Sequence, residues 1–155
     1  MVGLNVISLF LCCQLVLGLW PIPTNLNTGT TPLRLSGSFS IDISVRNAPS
    51  DLSDAVARTE AFLKQDKLQR LVVGRGATDS QRIQAAKTLA SMSISIVGSR
   101  RVQSISKEAI LDLNERSEGY TLTVPSDGSN AILTAESTLG LFRGLKLTLL
   151  FILLV

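Results

Sequence analysis

A chain of 155 residues, 45% of them hydrophobic and with a formal net charge of +3, can build one domain with a real core but not a catalytic barrel of roughly 250 residues. Its basic residues are scattered from Arg34 to Lys146 and aromatic side chains make up only 5%, so there is no basic stripe with aromatic interleaving and no nucleic-acid partner is expected. Histidine is absent, which removes serine–histidine triads, histidine bases and imidazole metal ligands, and nothing in the composition calls for a cofactor.

The chain opens with a short n-region, Met1 to Asn5, followed by an apolar stretch from Val6 to Leu17 broken only by Ser8 and Gln14. Val16 and Gly18 supply small residues at the two positions a signal peptidase reads, so residues 1–18 read as a secretory signal cleaved after Gly18. The apolar run is shorter than the ~20 residues a membrane span needs. Both cysteines, Cys12 and Cys13, lie inside this segment, and the mature secreted chain is expected to carry no disulfide.

Leu19-Trp20-Pro21-Ile22-Pro23 then predicts an extended segment that packs through Trp20 and Ile22. Leu33, Leu35, Phe39, Ile41, Ile43 and Val45 alternate, with an interruption at Gly37, as one half-buried strand or two strands joined at the glycine. Ser50 as a cap, with Asp51 and Asp54 behind it, starts a helix over Leu52 to Asp66 whose inner face is Leu52, Val56, Thr59, Phe62 and Leu63. Leu68 to Val73 reads as a short strand. Thr78 and Gln81 form a capping box for a second helix with Ile83, Ala86, Leu89 and Ala90 on its inner face.

Ile94, Ile96, Val102 and Ile105 predict strands on either side of Gly98-Ser99-Arg100-Arg101. Tyr120 to Val124, the turn cluster Pro125 to Asn130 and Ile132 onward predict a hairpin, and a last helix covers Leu139 to Leu145. The order of elements predicts an α+β domain: a mixed, mainly antiparallel sheet with helices on one face.

Three motifs bear on chemistry. Gly74-Arg75-Gly76-Ala77-Thr78-Asp79 sits where a dinucleotide-binding turn would, but Asp79 replaces the third glycine, and a carboxylate there satisfies the helix amides and repels a phosphate. Glu108, Asp112, Glu115 and Glu118, with Lys107 and Arg116 between them, are spaced as the solvated face of a helix and not as a glycosidase acid pair. Arg100-Arg101, in a Gly/Ser loop, reads equally as a dibasic processing site or a plain surface loop. No Asn-x-Ser/Thr sequon occurs.

Leu19-Trp20-Pro21-Ile22-Pro23, Asn47-Ala48-Pro49-Ser50-Asp51-Leu52, Tyr120-Thr121-Leu122-Thr123-Val124-Pro125, and Ala135 followed by Leu139-Gly140-Leu141-Phe142-Arg143-Gly144-Leu145 together resemble the N-terminal part of fungal β-N-acetylhexosaminidases of glycoside hydrolase family 20. The resemblance implies an α+β domain packed against a (β/α)8 barrel that releases terminal N-acetylglucosamine from chitin oligosaccharides and glycans. It places the catalytic Asp-Glu pair in that barrel, so no residue here is assigned a catalytic, cofactor-binding or metal role, and carbohydrate would be met only through the barrel. It also implies a propeptide-like segment and the first half of the α+β region over 19–101, which suits a cut at Arg100-Arg101, followed by the remainder of the domain over 102–145.

Residues 146–155 depart from the family's Thr-x-x-Gln-Leu continuation. With Lys146 and Arg143 interrupting it, this apolar tail is too short for a transmembrane span. The expectation is a secreted hexosaminidase domain truncated before its barrel and inactive alone. A stand-alone secreted binding or folding-assistance domain and a GPI-anchored surface protein are the alternatives.

Overall fold

The computed structural model of the chain describes residues 23–27, 29–65 and 84–154. The signal segment, Trp20 and Ile22, the strand expected over Leu68 to Val73, the Gly74 to Asp79 turn and the Thr78/Gln81 capping box lie outside the described residues.

Four strands, β1 (Leu33–Ile43), β2 (Lys87–Ile96), β3 (Tyr120–Thr123) and β4 (Ala131–Ala135), form one sheet in the order β1-β2-β4-β3. Helices α1 (Ser50–Gln65) and α3 (Thr138–Leu154) pack on the sheet and against each other, and a short helix α2 (Ile105–Ala109) abuts the start of α3. The chain therefore has the expected α+β fold with a mixed sheet. Its pairing is less antiparallel than expected: β1–β2 and β2–β4 are parallel, and only β3–β4 is antiparallel. Each parallel pair needs a long return path, supplied by α1 in one case and by α2 with β3 in the other.

The cross-strand register explains which face is covered. Ile41, Met92 and Ala131 lie side by side, as do Ile43, Ile94, Leu133 and Leu122, so one face is apolar across all four strands. This face joins Leu52, Ala55, Val56 and Leu63 of α1 and Leu141 and Leu145 of α3 in a single core. The intervening positions carry Ser40, Asp42, Ser91, Ser93, Ser95, Thr134, Thr121 and Thr123, with Ile132 an apolar exception at 47% exposure; Leu89, beside the register shift, is out of phase with Met92 and yet buried. Beyond the register shift, period-2 alternation separates core from hydroxyl-rich surface.

Several sequence expectations are corrected. The alternation interrupted at Gly37 is one strand with a register shift between Leu35 and Ser40, not two strands. Helix α1 begins at Ser50 itself, and the Pro49 carbonyl accepts the Leu52 and Ser53 amides in place of a Ser50 cap. Phe62, expected on the inner face of α1, is 53% exposed. Leu89 and Ala90 belong to strand β2, because Leu89 pairs with Leu35 of β1 and the alternating Met92, Ile94 and Ile96 continue a four-stranded ladder that a helix there would leave without its second strand. Val102 and Ile105 are not in a strand; the chain passes through a loop into α2.

Strand β1 is an edge, and its middle is closed by α1. The Ile41 amide donates to Glu60 Oε1 at 2.6 Å, while Lys64 lies 4.0 Å from the other oxygen of the same carboxylate. Since the Ser44 amide donates to the Ile94 carbonyl on the β2 side, the Ile41 amide points outward, and Glu60 satisfies what would otherwise be an orphan donor.

Helix α3 lies close on the sheet because of its glycines. A Cβ on Gly140 would come within 2.5 Å of the Gly119 carbonyl oxygen and 2.9 Å of the Ala135 methyl, neither of which can rotate away. Gly140→Ala is expected to lower the unfolding free energy by about 1–3 kcal/mol through overpacking, despite the better helix propensity of alanine, as urea denaturation would measure.

Candidate functional site

The candidate chemistry gathers where α2 and its following loop meet the N-terminus of α3. A buried helix start exposes amides that no carbonyl of its own helix can accept. Ser137 caps α3: its hydroxyl accepts the Gly140 amide at 2.9 Å and donates to the Ser117 carbonyl. Glu108, on α2, accepts the Leu139 amide at 2.7 Å through Oε2. The Thr138 hydroxyl lies 2.9 Å from that same oxygen and 2.8 Å from the Gln103 carbonyl, and its one proton serves either acceptor.

Glu108 is only 7% exposed, which corrects the reading of a solvated acidic face. The α2 helix stops at Ala109, so Glu108, Asp112, Glu115 and Glu118 do not share one helical face. Asp112 and Glu115 are exposed, and Glu118 pairs with Arg143 of α3 at 3.1 Å. With its Oε2 on the Leu139 amide and within reach of the Thr138 hydroxyl, the Glu108 carboxylate orients the start of α3.

α2 is itself held in place. Ser104 caps it by accepting the Lys107 amide, and Asp51 of α1 accepts from the Ser106 amide at 3.1 Å and the Ser106 hydroxyl at 3.2 Å. The three helices are thus linked by side-chain caps, from Asp51 on α1 to Ser106 on α2 and from Glu108 on α2 to Leu139 on α3. Among the described residues no group of three or more His, Cys, Asp or Glu side chains is arranged to hold a metal ion.

The basic pair lies on the loop between β2 and α2. Arg100 and Arg101 are both exposed, Gly98 before them takes a positive φ of 90°, and Arg100 Nη2 donates to the Glu115 carbonyl at 3.1 Å. Gly18 lies outside the described residues.

A cavity of about 810 Å³ opens between the sheet, α3 and the segment Pro23 to Thr31. Phe39, Leu89, Met92, Leu122 and Leu147 give it an apolar wall, and Glu118 and Arg143 are also among its lining residues. Tyr120 lines it too, and its hydroxyl is shut off from solvent with no hydrogen-bond partner among the described residues. Burial raises the Tyr120 pKa above the usual 10.0.

The two polar residues of the C-terminal stretch are accommodated separately. Thr148 is buried and returns its hydroxyl to the Gly144 carbonyl at 3.0 Å, whereas Lys146 is exposed and lies 4.8 Å from the centre of the Phe142 ring. Among the described residues no helix is long and apolar enough to cross a membrane.

Sequence reasoning missed the Glu108 cap and the Tyr120 phenol. The Ser137-Thr138 pair ahead of an apolar run was the available signal for the first, since such residues mark helix starts.

Glu108→Ala is expected to cost about 1–3 kcal/mol, because the Leu139 amide loses its acceptor inside the fold, with Glu108→Gln costing less; thermal denaturation of both variants measures this. Tyr120 gives a pH-dependent signal. The fold favours its neutral phenol, so this contribution to stability is intact below pH ~10 and is lost as pH rises through the higher folded-state value. As Tyr120 is the one tyrosine in the chain, phenolate absorbance in the folded and urea-unfolded protein reads the upward displacement directly.

No curated protein gives a match to this sequence. The sequence does match the family model described as beta-acetyl hexosaminidase like, over residues 19–149. That match takes in all four strands and α3 as far as Leu149, four residues beyond the Leu145 limit read from the motifs. It covers most of the chain, and the chain belongs to the beta-acetyl hexosaminidase like family.

Proposed function

We propose that this chain is the N-terminal, non-catalytic domain of a secreted β-N-acetylhexosaminidase, an enzyme class that removes terminal N-acetylglucosamine from chitin oligosaccharides and glycans. The family match over 19–149 carries the reading. The site chemistry supports a scaffolding role: the buried carboxylate, Glu108, holds a helix start, and Glu118 is engaged by Arg143. Catalysis in this reading belongs to a partner (β/α)8 barrel, against which the domain packs, and the chain by itself is inactive.

Secretion with removal of residues 1–18 after Gly18 belongs to the same reading, as does cleavage at Arg100-Arg101, whose exposure suits a protease. Such a cut would not release an independent propeptide. β1, α1 and β2 supply Phe39, Leu52, Met92 and Ile94 to the same core as Leu133 and Leu141, so the two pieces stay joined by the β2–β4 ladder and the core.

The purified chain is expected to leave an aryl N-acetylglucosaminide unhydrolysed and to co-elute with a separately produced family 20 catalytic barrel on gel filtration. Hydrolysis by the chain alone, or separate elution of the two proteins, would overturn the proposal.

A further inference from the structure

The two edges of the sheet are treated differently. On β1 the outward Ile41 amide is taken by Glu60; β3, the other edge, has no such cover among the described residues. The Ala135 carbonyl accepts the Val97 amide at 2.8 Å, so Ala135 turns its backbone groups toward β2 and Thr134 before it turns toward β3. Thr134 pairs with Thr121 and Ile132 with Thr123, and these two β3 residues direct their amides and carbonyls at β4. Tyr120 and Leu122 therefore point theirs away from the sheet, one amide and one carbonyl each. None of the four has a backbone partner among the described residues. Gly119, Thr121, Thr123 and Val124 along this margin are exposed.

Consecutive residues of β3, Tyr120, Thr121 and Leu122, all line the cavity of about 810 Å³, with Val124 just beyond the strand. The cavity thus follows the free margin of β3 and is not confined to the core face. A strand added there would lie about 4.8 Å from β3, and every second side chain would turn toward the space lined by Leu122 and Leu147. Backbone pairing along an edge, with a pocket for alternate side chains, is how sheets take up extended peptides.

Charge and area decide the occupant. Glu118 and Arg143 are the two charged residues of the lining, and they pair with each other at 3.1 Å, which suits an uncharged strand with apolar residues at alternate positions. A second copy of the chain does not fit. It would present the same four-residue edge, whose Tyr120 and Leu122 side chains already pack on their own core, and that pairing falls far short of the roughly 1,000 Å² a stable interface buries. We propose that β3 is a strand-addition site, at which an extended, uncharged segment of a partner protein pairs with the outward groups of Tyr120 and Leu122 and seats an apolar side chain beside Leu122 and Leu147. The site rests on the sheet edge and does not depend on the hexosaminidase reading.

The probes are short acetylated and amidated peptides, Thr-X-Thr-X-Thr with X leucine or phenylalanine, added to the isotope-labelled full chain. Without peptide, the Tyr120 and Leu122 amides are expected to exchange with solvent about ten-fold or more faster than those of Thr121 and Thr123, and a bound peptide is expected to close that gap. Methylating the peptide's amides at one alternate set of positions is expected to abolish binding, and methylating the other set to leave it intact. Val124→Lys, which puts a charge on a lining position 44% exposed, is expected to weaken binding about ten-fold with an unchanged circular dichroism spectrum. Slow exchange at Tyr120 and Leu122 in the peptide-free chain overturns the proposal: independent of protein concentration, it means that the chain covers its own edge, and rising with concentration, that a second copy does. Failure of both peptides to bind, or binding in which the two methylated sets behave alike, overturns it as well, whether or not the Val124 variant folds.

Discussion

The buried start of α3 is the constraint around which the domain is arranged. Its first amides face the protein interior, where water cannot satisfy them, and the helix must lie there because Leu141 and Leu145 complete the core over β4. A capping serine settles one amide. The next requires a carboxylate from elsewhere, and Glu108 reaches it only if α2 sits beside the helix end, which in turn is where Asp51 of α1 holds Ser106. The position of a five-residue helix is thus dictated by the needs of a seventeen-residue one.

How much of this could be read in the sequence depended on the range of each interaction. α1, the β3–β4 hairpin and the first turns of α3 were legible because their signals are local: a breaker at Asn47-Ala48-Pro49, a turn cluster at Pro125 to Asn130, and the block Leu139 to Leu145, beyond which α3 continues to Leu154. β2 was partly misread because Ala86, Leu89 and Ala90 also fit a helical spacing over so short a window. The parallel pairing of β1 with β2 joins residues over fifty positions apart, and no local pattern encodes it. Glu108 was misread for the same reason, since its partner at Leu139 lies 31 residues away. The family itself was recognisable in short blocks such as Leu139 to Leu145, where Gly140 and Gly144 are fixed by close contact with Gly119, Ala135 and Leu133.

The two faces of the sheet divide the labour of the molecule. Large aliphatic side chains point toward the helices, and serine and threonine occupy the intervening positions. These small side chains keep the second face shallow, and Asn130 adds a side-chain donor to Ser93 across it. Among the described residues the helices lie on one face of the sheet, and the closeness of α3 to that face is set by its two glycines.

The contact between Glu60 and the Ile41 amide has a consequence for the sheet's boundary. A ladder normally ends by running out of chain or by a proline, but β1 ends sideways, with a carboxylate from a covering helix reaching around the margin to take the central outward amide. A neighbouring strand approaching along β1 would have to displace an anion already shared with Lys64, and it would gain one backbone bond while stripping another. The sheet is thereby four strands wide on this side by occupation, and the same helix that covers its face also seals its border.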